Sequence, residues 1–466
     1  MGSASQCKGI YYDLVRDKPD RRLPLKAIAF GLLCTFLTAS FGLAEMQTTT
    51  PETSPSAQTA TAQAPAELKV TAYTLPPDKL AKAEALYTIR TGLYLFGMVF
   101  GIVILWLLIK LRVAPAFRDL AERGSKNRFM QSLIFVPLLT LLIAVISLPI
   151  DIYQHHISLA YGLSVQGWVS WAGDWCKAQG VALVISIPAV FVLFWVIRKS
   201  PQRWWFYFWV ATLPFLVLLV FVAPVILDPM FNKFEPLEKT QPQLVAEIEQ
   251  VTQRGGLSIP RDRMFEMKAS EKVTTYNAYV TGIGATKRVV VWDNTSRDMT
   301  VPETHFVFGH EMGHYVLNHV FKGLAFFAAL MLLGFWLGRR MVLAILARWG
   351  QAWHIRDLND LAALPVLMLA LSLLTLIAEP IGNAFSRHIE HQADIYGLEV
   401  THGLFPNNGE VAASAFQKLG EKSFDYPTPN PLLVFWSYSH PSIPARIRFS
   451  LQYDPWHAPE GPKYVK

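Results

Sequence analysis

Apolar residues in this chain gather into long unbroken runs rather than into stripes. Six runs, at about 92–112, 131–150, 178–198, 204–227, 322–346 and 361–384, are each near the ~20 residues that cross a bilayer as a helix. Arg339 and Arg340 cut the fifth, so its membrane part is expected to end near Leu337. A further run, from about Ala27 to Ala44, follows a basic N-terminus and resembles a secretory signal or an uncleaved signal anchor. Residues 46 to 68 hold almost no large apolar side chain and are expected to form a disordered linker.

Two mostly polar sections remain, about 229–320 and 386 to the end. Neither looks able to stand alone, and together they are expected to form one section with the last two spans inserted between them. Residues 244–253 have helical spacing. The stretches 263–268, 274–281 and 287–293 are strand-like and separated by turn signals. Thr300-Val301-Pro302-Glu303 then reads as a helix start, and that helix is expected to run to about His319.

Composition agrees with the runs. A hydrophobic share of 52%, with 14 Trp and 29 Phe, is unusual for a soluble protein of 466 residues and marks a multi-pass membrane protein. The net charge of +7 lies in alternate loops. Arg112, Arg118, Arg123, Lys126 and Arg128 follow one span; Arg198, Lys199 and Arg203 follow another; Arg339, Arg340, Arg348 and Arg356 follow a third. The loop at 151–177 is nearly free of Lys and Arg. The positive-inside rule makes the basic loops cytoplasmic and puts both polar sections on the other side, in what we expect to be a bacterial inner membrane. No basic stripe with interleaved aromatics is present, so no nucleic-acid partner is expected. Cys7, Cys34 and Cys176 are scattered, which excludes a thiolate zinc site.

One pentapeptide changes the picture: His310-Glu311-Met312-Gly313-His314. Residues four apart share a helix face, so both imidazoles can serve one metal ion, with Glu311 beside them to deprotonate a metal-bound water. Catalytic zinc needs a third protein ligand. The metzincin extension is absent, because Leu317 and Val320 stand where its Gly and His would be. A later helix carries Glu390 and Asp394, four apart. Glu390 is the candidate third ligand, and Asp394 the candidate acceptor for the outer N–H of a ligand histidine.

In this order the motifs resemble the integral-membrane type I CAAX prenyl endopeptidases. H-E-M-G-H is followed by Leu317-Asn318-His319, then by N-x-x-S-R-x-x-E-x-x-A-D from Asn383 to Asp394. Asn277-Ala278-Tyr279 resembles the family's edge strand, and His440-Pro441 with Arg446 its C-terminal H-P…R. Gly397 departs from the family's usual Ala, and the first 70 or so residues do not obviously match.

The resemblance implies a mostly α polytopic membrane protein. A ring of about six to seven transmembrane helices would enclose a chamber, with a small α+β zincin-like catalytic section. It implies one Zn2+ held by His310, His314 and Glu390, with Glu311 as general base and Asn277 and His440 at the scissile carbonyl. Asp394 and Arg387 would support the ligands. Asn277, Ala278, Tyr279 and Arg446 would contact substrate, a peptide or protein with or without a lipidated C-terminus, beside membrane lipid. The expected division is 1–45 (basic N-terminus and signal or anchor), 46–70 (linker) and 71–228 (membrane helices). Then come 229–320 (metalloprotease section), 321–385 (membrane hairpin) and 386–466 (C-terminal part of that section).

Other polar residues have bland readings beside functional ones. His155 and His156 read as interfacial rings, Glu379 as a group on a chamber wall, and His319 as either a helix-end cap or a support for a ligand. Two alternatives stay open at this point. One is a membrane-protein quality-control protease without a prenyl requirement. The other is a non-catalytic zinc-bearing scaffold or transporter, against which the intact Glu311 argues.

Overall fold

The computed structural model describes residues 70–282 and 287–465. The signal-like run and almost all of the linker fall outside them.

Helix α1 (Pro77–Lys110) opens with Pro and Asp in its first turn, where a missing N–H costs nothing and a negative charge meets the helix dipole. Only its second half is the expected first span. The first half is polar and leans on the C-terminal section, through a Lys79–Glu421 ion pair and a hydrogen bond from Arg90 to the Ser423 carbonyl at 3.3 Å. An amphipathic helix α2 (Val113–Gly124) follows, then the apolar helices α3 (Arg128–Ala160), α4 (Trp168–Lys199) and α5 (Trp204–Ile226). Asn127 caps α3, accepting from Phe129 N at 2.8 Å.

Two ends of the helix assembly are distinguished by what ties them. At one, α2 is fastened to the segment 350–363: Arg356 forms a fork with Glu122 at 2.8 Å on each arm, and Arg118 pairs with the buried Asp360. At the other, the loop after α3 docks on the polar section, with Val165 N donating to the Lys272 carbonyl at 3.0 Å.

The polar section contributes a four-stranded sheet and, among the described residues, five helices of seven residues or more. Strands β1 (Phe234–Pro236), β2 (Met264–Met267), β3 (Ala278–Thr281) and β4 (Arg288–Trp292) lie in the order β1-β2-β4-β3. β2 and β4 are parallel, with Met264 opposite Val289; β3 runs antiparallel to β4, with Ala278 opposite Val291. Val289, Val290 and Val291 are all buried, so β4 is covered on both faces, whereas β3 is an edge strand. Residues 274–277 do not join β3. Asn294 Nδ2 takes the carbonyls of Val273 and Thr275, and Thr295 Oγ1 accepts from Asn277 N at 2.8 Å, which occupies the groups a ladder would need.

Helix α6 (Pro242–Arg254) covers the sheet. Helix α7 (Val301–Val316) carries the pentapeptide and packs between α6 and the long helix α9 (Leu364–Thr401), with α8 (His319–Trp349) leading from one to the other through the apolar region. Val245, Ile248 and Val251 meet Phe308, Met312, Tyr396 and Val400 in one buried cluster. Burial of side chains of this size stabilises by about 1.5–3 kcal/mol each. Helices α10 (Asn408–Ser423), α11 (Pro431–Ser437) and α12 (Ile443–Gln452) close the section. α8 continues past Leu337 through Arg339 and Arg340, and the Arg340 guanidinium lies over the Trp336 ring at 4.2 Å. Among the described residues five helices are long and apolar enough to cross a membrane, namely α1, α3, α4, α8 and α9; the apolar part of α5, Trp204–Leu218, is shorter.

Candidate active site

Helix α7 is fixed at its start. Thr300 and Glu303 form a reciprocal capping box: Thr300 N donates to Glu303 Oε2 at 2.8 Å, and Thr300 Oγ1 accepts from Glu303 N. Two residues of α10 complete the fixation, Lys418 Nζ at 2.6 Å from Oε2 and Ser414 Oγ at 2.7 Å from Oε1. Neither was visible in the sequence, since nothing in their spacing relates them to Glu303.

Glycines let α9 approach. A Cβ on Gly313 would stand 3.0 Å from Tyr396 Cβ and 3.2 Å from Ala393 Cα, and one on Gly397 would stand 3.0 Å from His310 N. This close pass sets Glu390 beside the two histidines. His310 Nε2 lies 3.2 Å from His314 Nε2 and 3.3 Å from Glu390 Oε2; His314 Nε2 lies 3.4 Å from Glu390 Oε1. Two nitrogens on a tetrahedral zinc, each at ~2.05 Å, stand ~3.3 Å apart, so the donor set matches that ion. Glu390 Oε2 is also buried without a hydrogen-bond partner, a state that a bound cation relieves.

The outer nitrogens of the two rings have different neighbours. His310 Nδ1 lies 2.9 Å from Asp394 Oδ1, and Arg446 pairs with that carboxylate, its Nε 3.0 Å from Oδ2. His314 Nδ1 faces His319 Nδ1 at 3.2 Å. Burial, then the charge of His310, pushes the His314 imidazole down to about 3, leaving it neutral as a metal ligand must be. For His310, burial opposes charging, but the carboxylates of Asp394 and Glu390 beside it outweigh it and lift the ring to about 10. His310 therefore holds a proton that a cation has to displace. Removal from water pushes the Glu311 carboxyl up to about 7, against the opposing charge of His310.

The remaining residues singled out above fall into two groups. His440 joins the site: its Nε2 is 3.4 Å from Glu390 Oε1 on the solvent side, and Nδ1 lies 2.9 Å from Ser439 Oγ. Asn277 is exposed at the start of edge strand β3, its carbonyl accepting from Trp292 N at 3.0 Å. Ala278 is buried, and Tyr279 turns away, its hydroxyl donating to Asp228 Oδ2 at 3.0 Å. The two arginines depart from the places expected of them. Arg446, expected on substrate, is packed against His310 and Asp394, because the buried carboxylate needs a counter-charge. Arg387, expected behind the ligands, donates instead to the carbonyls of Val434, Phe435 and Tyr438, capping the end of α11. Glu379 accepts from Tyr94 on α1 at 2.7 Å, and His155 is buried between Trp168 and Trp171.

Comparison with known proteins decides the family. Residues 56–233 match the model for the CAAX prenyl protease N-terminal region with five membrane helices, and residues 238–453 match that for peptidase family M48. An uncharacterized metalloprotease of Bacillus subtilis, YhfN, is 35% identical over 374 residues, covering 80% of this chain and 86% of that one. The chain belongs to peptidase family M48. The human CAAX prenyl protease 1 homolog is 24% identical, covering 81% of this chain and 84% of its own length. The crystal structure of Ste24p from S. mikatae shares the fold, with a TM-score of 0.68 at 23% identity over 83% of this chain and 93% of that one. This M48 protein is thus a multi-pass membrane metalloprotease related to the CAAX prenyl proteases, with the Ste24p architecture of helices around a chamber, and its substrates are peptides or proteins.

Proposed function

We propose that His310, His314 and Glu390 hold one zinc ion and that Glu311 is the general base of an endopeptidase reaction. The observation that carries this reading is the triangle of ligand atoms, all within 4.8 Å of one another, with Glu311 next in sequence to the first of them. A zinc ion held there would supply the Lewis acidity that makes a water acidic near neutral pH, at a pKa of about 7. Glu311 takes the proton from the attacking water and later delivers it to the leaving amine, so no covalent acyl-enzyme is needed. His440, hinged on the exposed side of Glu390, is positioned to donate to the carbonyl oxygen as it gains charge. The outer edge of β3, the end strand among the described residues, offers main-chain groups to an extended peptide, with Asn277 at its end. Asp394 and Arg446 hold the His310 ring.

We further propose that this section faces away from the cytoplasm of a bacterial inner membrane. The basic loops support it: Arg112, Arg118 and Arg356 meet at the end of the assembly where α2 is fastened to residues 350–363. That orientation favours exported or membrane proteins as substrates over prenylated cytosolic tails.

Cleavage assays with detergent-purified protein test the mechanism and the substrate reading. A farnesylated C-terminal peptide and an unprenylated extended peptide are offered to the parent and to Glu311→Gln, with zinc measured in each. Zinc in both proteins and cleavage by the parent alone supports the mechanism. Cleavage of only the farnesylated peptide overturns the second substrate reading, and absence of zinc from the parent overturns the site.

A further inference from the structure

We propose that His319, Gln392 and His388 form a directional hydrogen-bond chain that fixes the tautomer and orientation of His314, so that membrane helices α8 and α9 jointly set the geometry of the metal centre. This rests on the reading of His314 as a ligand.

The chain can be followed atom by atom. His314 turns Nε2 into the ligand triangle, so a neutral ring carries its proton on Nδ1. The partner of that N–H is His319 Nδ1 at 3.2 Å, which must then be an acceptor. A neutral His319 with an acceptor Nδ1 carries its proton on Nε2, and Nε2 faces Gln392 Oε1 at 3.0 Å. The Gln392 amide nitrogen in turn donates to His388 Nε2 at 3.1 Å. Each member accepts from one neighbour and donates to the next. Reversing any one would set two donors or two acceptors face to face. His319 is buried, and the chain satisfies both of its nitrogens.

His319 reaches this place only because the helix breaks. On a continuous helix, a residue five positions after His314 would point about 140° away from it. Asn318 takes a left-handed conformation, φ 56°, and starts α8 in a new direction with His319 at its first position. Gln392 sits one turn after His388 and two residues after Glu390, on α9. The His319–Gln392 contact therefore joins the first turn of one membrane helix to the ligand-bearing part of the other. His310 is supported differently, by the charged Asp394–Arg446 pair.

The test is zinc affinity, measured on the full-length protein by competition with a chromophoric chelator. His319→Phe and Gln392→Met are expected to weaken zinc binding about 10- to 100-fold, the usual cost of losing an outer partner of a metal-bound histidine. His319→Gln should recover most of it, because its amide offers an acceptor to His314 and a donor to Gln392. Solid-state NMR of 15N-histidine-labelled, zinc-loaded parent should show His319 protonated on Nε2. Affinities of both His319→Phe and Gln392→Met within about twofold of the parent, or His319 protonated on Nδ1, would overturn the chain. If His319→Phe does not fold, Gln392→Met and the spectrum of the parent decide alone. A parent that binds no zinc overturns the ligand reading itself, and the chain with it.

Discussion

Asp394 and Arg446 form an ion pair that touches His310, a proposed metal ligand: one carboxylate oxygen is 2.9 Å from His310 Nδ1, and the guanidinium grips the same carboxylate. Asp394 is buried and Arg446 is largely enclosed, its guanidinium carbon over the Phe416 ring at 4.2 Å. Removing either partner strands the other as an uncompensated charge. Asp394→Ala should therefore destabilise the protein by about 3–5 kcal/mol. Urea unfolding in detergent checks the stability, and zinc content should fall with it.

A methyl group in the wrong place should do similar damage. Gly313→Ala puts a Cβ 3.0 Å from Tyr396 Cβ and 3.2 Å from the Ala393 backbone, which cannot swing aside as a long side chain can. The two helices must separate by a few tenths of an ångström, at a cost of about 1–3 kcal/mol. Because the same contact seats Glu390 against His314, weaker zinc retention should accompany the lower melting temperature.

As the proposed general base, Glu311 should set the acid limb of the activity profile. A general base must be ionised, so kcat/KM falls as pH drops through its pKa. Burial raises that carboxyl to about 7, and a cation beside it favours the ionised form and moves the limb below 7. Glu311→Gln should remove the limb and lower kcat by about 10²–10⁴-fold while zinc stays bound. A pH–rate profile of parent and variant checks both.

Zinc uptake should release a proton. The raised His310 pKa, about 10, means that the metal-free ring is charged at neutral pH, and only the neutral ring binds metal. Below that pKa each unit rise in pH should strengthen apparent zinc affinity by about tenfold through this one group. Calorimetry in buffers of different ionisation enthalpy counts the protons.

The amino-acid pattern exposes the centre more clearly than its surroundings. Four-residue spacing is enough to place His310 with His314 and Glu390 with Asp394, because one helical turn fixes their common face. Bringing the two pairs together depends on Gly309, Gly313 and Gly397, which the pattern shows only as glycines. His319 was ambiguous for a related reason: its position follows from the backbone of Asn318, and its partner Gln392 belongs to another helix. Hydropathy marks only the second half of α1, since Lys79 and Arg90 spend their charge on the C-terminal section. The short strand β1 left no readable alternation in three residues.

The chain crosses the apolar region twice, through α8 and α9, between His314 and Glu390. The two proposed histidine ligands are thus synthesised before Glu390, the proposed third, which lies beyond both helices. A nascent chain that ends before α9 carries two of the three proposed ligands. With that ligand set, biogenesis itself becomes a safety catch, because the centre is complete only once its hairpin stands in the bilayer.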